Sequence, residues 1–391
     1  MTSSSPQPLY THQFFLITAV FFLLFFSWSL FFLFPIRITE LGGGKFEIGL
    51  VMGAAQISAV VARFLGGRRL DRLGRRKLLI GSAVLNTVTV LGFLAVRRVD
   101  WLPIVLRVVQ GIAYGVYFTA VFTIISDLTP PSRLTEGLGN FGMAGLLALA
   151  LAPWMGEGLI ARFGFDSLYV LAGIVSFFAL ILSVLSRESL PPEFCLTETP
   201  PLGKALAGGV LTLLFVTLLF AGGRGVLVSF AADHLAGEKT VSAGVFFLIY
   251  SLTAASVRFF AGPLADRAGK IRLLSPALVI FGLGVALMAA TAHNVLIVAS
   301  AALAGLGHGF LYPVLNALII ERSHVCSRGT ATGFYTGSFD IGVGAGAIFW
   351  GWVATLSGYS LMYILAGAAC LAGIFGVRML ARSRTADGGR G

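Results

Sequence analysis

The chain has 391 residues, of which 57% are hydrophobic and only 12% charged, and its mean hydropathy is +0.90. This composition excludes a water-soluble domain, in which roughly a quarter of the residues would be charged. The formal net charge of +11 does not indicate nucleic-acid binding, because no folded soluble domain is available to carry a basic face. Apolar runs near 20 residues recur instead, and each is long enough to cross about 30 Å of hydrocarbon.

These apolar runs predict an all-α polytopic membrane protein with twelve transmembrane helices. The first run is too long for a signal-peptide core and no basic region precedes it, so we expect it to remain in the mature protein. In chain order the expected spans are approximately 14–36, 46–66, 78–96, 102–125, 138–160, 167–186, 207–231, 241–262, 273–292, 295–319, 331–354 and 360–380.

The loops between these spans differ in charge. When loops are assigned alternately to two sides, one set together with the C-terminal tail holds 18 of the 28 Lys and Arg residues, and the opposite set holds six. The positive-inside rule therefore predicts a multi-pass protein of the cell (inner) membrane with both termini cytoplasmic. Cys195 and Cys326 fall in expected cytoplasmic loops, and the sequence contains neither a disulfide framework nor metal-ligand spacing. We expect no metal and no cofactor.

An internal repeat divides the chain. Residues 63–79 and 258–274, which lie 195 positions apart, share an arginine, a phenylalanine, two glycines and an Asp-Arg pair. Both copies join the second and third spans of a six-span half. The sequence thus predicts two pseudo-symmetric six-helix halves, 1–186 and 207–391, joined by a cytoplasmic linker at 187–206.

Three motifs carry a family resemblance. The loop G-x-x-x-D-R-x-G-R-R at 67–76 resembles the signature of the major facilitator superfamily, and Arg107-Val-Val-Gln110-Gly111 resembles a motif of its proton-coupled exporters. Residues 148–156 are similar to the antiporter motif of those exporters, but Ala148 and Ala152 replace glycines and Glu157 replaces the last one. The pattern looks most like the drug and small-metabolite exporters related to arabinose efflux permeases, some of whose relatives export siderophores and metallophores.

The signature loop and its second copy have two readings. The resemblance implies a conformational latch that holds the two halves together in one state, whereas the plainer alternative is that the cations only control topology. An aspartate among the cations favours the latch, because topology control needs no acid. The residues expected to form the latch are Gly67, Asp71, Arg72, Gly74, Arg75, Asp266 and Arg267.

Two arginines inside expected spans are candidate substrate-binding residues. An ionised side chain at mid-membrane costs about 2.5–3.5 kcal/mol on insertion scales and is seldom carried without a function. Arg107 and Arg224 would suit a carboxylate or phosphate, although each could instead form a structural ion pair. In the superfamily that the motifs resemble, spans 1, 4, 7 and 10 line the central pathway. Together with helical spacing, the resemblance implies the following substrate contacts: Arg107, Gln110, Tyr114, Tyr117, Arg224, His308 and Tyr312.

Two acids are candidates for proton coupling. Asp340 is the acid set deepest in a span, and its repeat partner is a glycine, Gly145. A buried acid can exchange a proton in a conformation-dependent way, or it can serve as a static partner of an arginine. Glu157, near the outer end of span 5, is the second candidate.

Taken with the resemblance, these features predict a secondary active transporter that works by alternating access and exports a small organic compound against protons. The cargo would be a drug or an anionic, metallophore-like compound. The rival readings are a proton-coupled importer, a lipid translocase or passive facilitator, and a substrate-sensing receptor. No nucleophile, base and oxyanion set is visible, so an enzyme is not expected. The expected partners are a small-molecule substrate, protons and membrane lipids, with no nucleic acid, and the protein is expected to be a monomer.

Overall fold

The structure, a computed structural model, describes residues 9–130, 133–189, 209–238, 240–290, 293–322 and 328–387. Within these ranges the side chains of residues 64–73, 134–135, 259, 261–266, 268, 328–330 and 381–387 are not described. The described part of the chain consists of helices and their connections, without a β-strand. The all-α fold predicted from the sequence is therefore confirmed.

Among the described residues, seven helices precede the linker. A 3-10 turn at Phe31–Leu33 joins the first to the second, and another at Phe93–Ala95 follows the fourth. The helices are α1 (His12–Leu30), α2 (Phe34–Glu40), α3 (Lys45–Leu73), α4 (Arg75–Gly92), α5 (Trp101–Leu128), α6 (Leu134–Phe163) and α7 (Phe165–Leu185).

Five helical segments follow the linker in the part of the chain that the structure describes. The last of them is broken at Gly358, whose φ of 81° is not helical. The helices are α8 (Val210–Glu238), α9 (Ala243–Ala268), α10 (Lys270–Leu287), α11 (Asn294–Glu321) and α12 (Arg328–Asp387).

Within the described residues, ten helical stretches are long and apolar enough to cross a membrane. One of these, Ala331–Leu380, is 50 residues long and contains the break at Gly358, and a shorter apolar helix covers Ala243–Arg258. Each of the twelve expected spans overlaps a described helix, so the structure is consistent with twelve crossings. Large apolar side chains such as Phe163 and Phe375 remain exposed, as lipid contact requires.

The chain forms two compact units. Unit 1 comprises Met1–Phe34 and Ile57–Phe194, and unit 2 comprises Pro35–Gln56 and Cys195–Gly391. Unit 2 therefore includes the first three turns of α3, and the rest of that helix belongs to unit 1.

A buried polar contact joins three helices of unit 1. The amide of Asn86 on α4 donates to Ser27 on α1 over 3.3 Å and to Ser176 on α7 over 2.9 Å. All three residues are fully buried. Because apolar burial does not drive helices together in lipid, small residues and such interhelical hydrogen bonds specify the packing.

In unit 2 the beginning of α3 packs directly on α12. A Cβ added at Gly53 would lie 2.6 Å from the carbonyl oxygen of Gly344, and one added at Gly49 would overlap the carbonyl of Ala347. A larger side chain at either glycine would separate the helices. The contact is therefore a seam of small residues in which the two backbones touch.

The sequence repeat has a counterpart in the backbone. Gly74 and Gly269 begin α4 and α10 with a φ of 89° each, a conformation that favours glycine. Gly115 on α5 lies against the carbonyl of Ala59 on α3, and Gly309 on α11 lies against the carbonyl of Ala254 on α9. Each unit thus contains the same turn and the same close helix contact.

Candidate functional site

The first candidate arginine is positioned by a capped helix. Asp100 accepts a hydrogen bond from the backbone N–H of Leu102 over 2.9 Å, which caps α5. That bond, helped by Arg98, lowers the pKa of Asp100. Two turns into α5, Arg107 is only 1% exposed, and its Nη1 donates to Oε1 of Gln110 over 2.6 Å.

Aromatic rings of α1 and of the 3-10 turn after it enclose this arginine. The Arg107 guanidinium carbon lies 5.0 Å from the ring centroid of Trp28 and 5.5 Å from that of Phe31. Trp28 in turn stacks on Tyr114, with centroids 4.1 Å apart and an interplanar angle of 17°. Cation–π attraction is strong where water is absent. Arg107, Gln110 and Tyr114 are therefore brought together inside unit 1.

Tyr117 links α5 to α1 within the same unit. Its ring is fully buried, and its hydroxyl donates to the backbone carbonyl of Leu24 over 3.3 Å. The side chain thereby fixes α5 against α1. Of the four expected contacts on α5, three lie in the arginine–aromatic cluster and Tyr117 supports it from the next turn.

A second arginine–aromatic cluster lies in unit 2. The Arg224 guanidinium on α8 is 5.6 Å from the ring of Phe339 on α12. His308 on α11 stacks on Tyr250 of α9, with centroids 5.5 Å apart and planes 15° apart. Tyr312 packs edge-on against Phe339 at 5.1 Å. The structure therefore brings Arg224, His308 and Tyr312 together.

Each unit contains a further arginine that packs on an aromatic ring. The Arg63 guanidinium of α3 lies 4.4 Å from the ring of Phe118 on α5, and that of Arg258 on α9 lies 5.6 Å from the ring of Tyr312 on α11. Arg63 and Arg258 come four residues after Ala59 and Ala254, whose carbonyl groups lie against Gly115 and Gly309. Phe118 and Tyr312 come three residues after those glycines. Sequence reasoning noted these arginines but did not foresee their aromatic partners.

The candidate proton-coupling acids lie in different surroundings. Asp340 on α12 is 5% exposed and directly follows Phe339 of the second cluster. Tyr335, one turn earlier, donates its hydroxyl to the carbonyl of Tyr312 over 2.6 Å. Glu157 on α6 is partly exposed. Asp340 is therefore the better enclosed of the two acids.

Part of the expected latch can be described. Arg75 is buried and forms an ion pair with Asp127 at the end of α5, a partner within unit 1. Ser189 bridges the pair: its hydroxyl donates to Asp127 over 2.7 Å and accepts from Arg75 over 3.2 Å. Glu188 accepts from the backbone N–H of Arg75 over 2.8 Å at the beginning of α4. The beginning of the linker is thus tied to the signature loop.

The other latch residues divide into two groups. Gly74 makes the turn before α4, and Arg267 is exposed near the end of α9. The structure does not describe the side chains of Asp71, Arg72 and Asp266 or the surroundings of Gly67.

Sequence reasoning missed Asp127, Glu188 and Ser189 as partners of the loop. Asp127 is an acid at the end of a span, a position that signals a polar contact with the neighbouring loop. Glu188 and Ser189 belong to the polar stretch that the sequence predicts to be the cytoplasmic linker. Among the described residues no group of three or more His, Cys, Asp or Glu side chains could hold a metal ion.

The chain belongs to the Major Facilitator Superfamily, whose sequence profile matches residues 16–208 and 213–390. It is a multi-pass membrane transporter and not an enzyme. The family resemblance drawn from the motifs is thereby confirmed.

Two relatives are export proteins. The staphylopine export protein of Staphylococcus aureus is 22% identical over 355 residues, which cover 85% of this chain and 87% of that protein. The multi-drug resistance efflux pump PmrA of Streptococcus pneumoniae is 26% identical over 355 residues, which cover 86% of this chain and 88% of that protein. The similarity to each therefore extends over most of both chains.

Solved transporters share the fold. A variant of the nucleoside transporter NupG superposes with a TM-score of 0.80 at 15% identity, covering 94% of this chain and 100% of that chain. The human organic anion transporter MFSD10 superposes with a TM-score of 0.71 at 16% identity, covering 94% of this chain and 100% of that chain. At these identities the likeness establishes the fold alone.

Proposed function

We propose that this protein exports a small organic anion across the cell membrane by alternating access, in exchange for protons. The observation that carries the proposal is the pair of arginine–aromatic clusters, one in each unit, around Arg107 and Arg224. A guanidinium inside a membrane-spanning helix is expensive to insert, and it recognises carboxylates or phosphates bidentately. The aromatic rings beside each arginine suit the apolar part of such a molecule.

The direction of transport is proposed from the relatives. Two relatives named above are an export protein and an efflux pump. One of them exports staphylopine, so a metallophore-like anion is the first cargo to test for this chain. Both termini are proposed to be cytoplasmic because 18 of the 28 basic residues fall on that side.

The residues proposed to contact the cargo form two sets. Arg107, Gln110 and Tyr114 form the first, with Tyr117 supporting it; Arg224, His308 and Tyr312 form the second. Asp340 is proposed as the proton carrier, because a carboxyl group enclosed in this way changes its proton affinity when its surroundings change. Glu157 is the next candidate. The signature loop and its copy are proposed to act as the latch between conformations.

Transport by purified protein in proteoliposomes tests the proposal. An inward proton gradient, acid on the side opposite the cytoplasmic face, should drive export of an anionic metallophore, while a lipophilic cation should move poorly. Asp340→Asn should keep downhill exchange of labelled cargo but lose accumulation driven by the gradient. Wild-type transport that ignores the gradient would refute proton coupling, and accumulation in the opposite sense would refute export. Gradient-driven transport retained in Asp340→Asn would eliminate this residue as the carrier.

A further inference from the structure

Unit 2 contains a second arginine close to Arg224 that the proposed cargo contacts do not include. Arg258 on α9 packs on the ring of Tyr312, as described above, and it acts electrostatically on Arg224. Both arginines also act on the hydroxyl of Tyr250 and on the imidazole of His308. Two positive charges therefore share one region of unit 2.

A close backbone contact holds two of the helices that carry these groups. A Cβ added at Gly309 on α11 would lie 2.4 Å from the carbonyl oxygen of Ala254 on α9. Arg258 follows Ala254 by about one helical turn, and His308 immediately precedes Gly309. Because the two backbones touch, the spacing of α9 and α11 is fixed by packing. Arg258 and His308 are therefore positioned before any cargo binds.

Three buried nitrogen atoms of this region have no hydrogen-bond partner among the described residues. They are Nε of Arg224, Nε of Arg258 and Nδ1 of His308. Arg224 is 7% exposed and His308 is 4% exposed, and Arg258 is partly exposed although its Nε is buried. An imidazole can donate through Nδ1, as the guanidinium nitrogens always do. Because a buried donor without an acceptor is unfavourable, three of them in one region indicate that an acceptor binds there.

The arrangement of these donors selects the shape of the acceptor. A guanidinium only donates, and its planar fork matches two oxygen atoms of one anion. A carboxylate has a single pair of oxygens and accommodates one fork. Arg224 and Arg258 belong to α8 and α9, and His308 belongs to α11. Donors from three helices suit the three terminal oxygens of a phosphomonoester, which form three different pairs.

The charge of a phosphomonoester also fits this region. The two arginines contribute two positive charges, and Asp340 on α12 can offset one of them while it is ionised. A phosphomonoester carries between one and two negative charges at about pH 7, because its second pKa is about 6. It can therefore balance the region whether or not Asp340 holds a proton. Without an anion, two like charges act on each other where little water screens them, which is unfavourable.

We propose that Arg224, Arg258 and His308 form a site for the phosphate group of a phosphomonoester, which is the charged end of the cargo. The proposal rests on the proposed function, because it specifies the anion that the exporter carries. Each arginine donates to one pair of phosphate oxygens, and the imidazole donates to the oxygen that remains accessible to α11. The rings of Tyr312 and Phe339 then contact the apolar part of the molecule.

Equilibrium binding to the full-length protein in lipid nanodiscs tests this proposal with four small probes. Phenyl phosphate is the phosphomonoester, benzoate is a monocarboxylate, and phthalate carries two carboxylates on one ring. Methyl phenyl phosphate is a diester, which has the phosphate chemistry of a membrane phospholipid. We expect phenyl phosphate to bind about tenfold or more tightly than each of the other three, because it alone accepts from both forks and from the imidazole.

Substitutions at Arg258 isolate the second guanidinium. Arg258→Gln should weaken binding of phenyl phosphate about tenfold or more. Benzoate binding should change less than about threefold, because Arg224 still supplies one fork. Arg258→Lys should restore phenyl phosphate binding only in part, since lysine keeps the charge without the fork. Arg272→Gln is the matched control, because it removes one guanidinium from an exposed position on α10 and should leave both affinities unchanged.

Three results would overturn the proposal. Benzoate or phthalate binding as tightly as phenyl phosphate would mean that the site selects carboxylates. Equal binding of the monoester and the diester would mean that the third oxygen is not used, and would assign the site to a phospholipid. Equal losses of phenyl phosphate and benzoate binding in Arg258→Gln would mean that Arg258 does not act as a second fork. The comparison of the four probes uses the wild-type protein alone, so it decides the question even where a variant fails to fold.

Transport measured on the same proteins separates this proposal from the proposed function. If Arg258→Gln removes a preference of the wild type for phenyl phosphate, while transport ignores the proton gradient, proton-coupled export fails and the phosphate site stands. If a carboxylate-bearing metallophore is exported against protons, while phenyl phosphate binds no more tightly than benzoate, the phosphate site fails and the proposed function stands.

Discussion

Replacing Asp127 by alanine should destabilise the protein far more than replacing Asp166, although each acid is paired with an arginine. The side chains of Arg75 and Asp127 are 7% and 9% exposed, whereas those of Arg97 and Asp166 are 61% and 51% exposed. Removing one member of a buried pair strands the other charge, at about 3–5 kcal/mol. An exposed pair contributes only about 0.2–1 kcal/mol. We therefore expect a difference of at least about 2 kcal/mol between Asp127→Ala and Asp166→Ala.

The free energy of unfolding can be measured by titrating SDS into detergent micelles and following tryptophan fluorescence. A double variant, Arg75→Met with Asp127→Leu, separates the charge from the packing. Replacing both members of a buried pair by apolar residues of similar volume is often neutral or stabilising. The double variant should therefore recover most of the stability lost in Asp127→Ala.

Two outcomes would refute this reasoning. Equal losses in Asp127→Ala and Asp166→Ala would mean that burial does not control the strength of these pairs. A double variant as unstable as the sum of its single substitutions would mean that Arg75 and Asp127 act independently.

The remaining predictions concern cargo, packing and topology. Arg224→Gln should weaken binding of an anionic cargo about tenfold or more, and Arg224→Lys should restore it only in part because lysine lacks the planar fork; unchanged affinity in an equilibrium binding assay would assign Arg224 a structural role. Gly115→Ala should lower the melting temperature, since its Cβ would overlap a carbonyl of α3, whereas Gly158→Ala, where a Cβ meets open space, should not. An impermeant maleimide should label Cys195 only after the cells are permeabilised, and Cys370 should stay unlabelled because it is fully buried; labelling of Cys195 in intact cells would reverse the proposed topology.

Hydropathy was enough to predict the helices, because a helix in lipid must be apolar over its whole length. The repeat around Asp71 and Asp266 has a counterpart in the turns at Gly74 and Gly269, which begin α4 and α10 with the same φ. The last two expected spans correspond to helical stretches on either side of Gly358, whose backbone is not helical. The turn between them is too short to carry a polar stretch.

Contacts between distant helices were harder to predict. The spacing of Arg107, Gln110 and Tyr114 placed them on one face of α5, but the enclosure of that face by Trp28 depends on how α1 is rotated. Similarly, nothing in the spacing of residues pairs Asp233 with Tyr359, which is 126 positions away. The hydrophobic period of a helix determines which residues share a face. The rotation and depth of the helix determine which residues of other helices that face contacts.

The seam between α3 and α12 has a consequence for biosynthesis. Gly49 is synthesised about 300 residues before Ala347, the residue whose backbone it touches. At about 5–20 residues per second, roughly 15–60 s pass between the emergence of the two segments. During that interval the small-residue face of α3 must rest against lipid or other helices. Substitutions at Gly49 should therefore leave membrane insertion normal. They should impair a late step, in which α12 packs against α3 and meets the larger side chain.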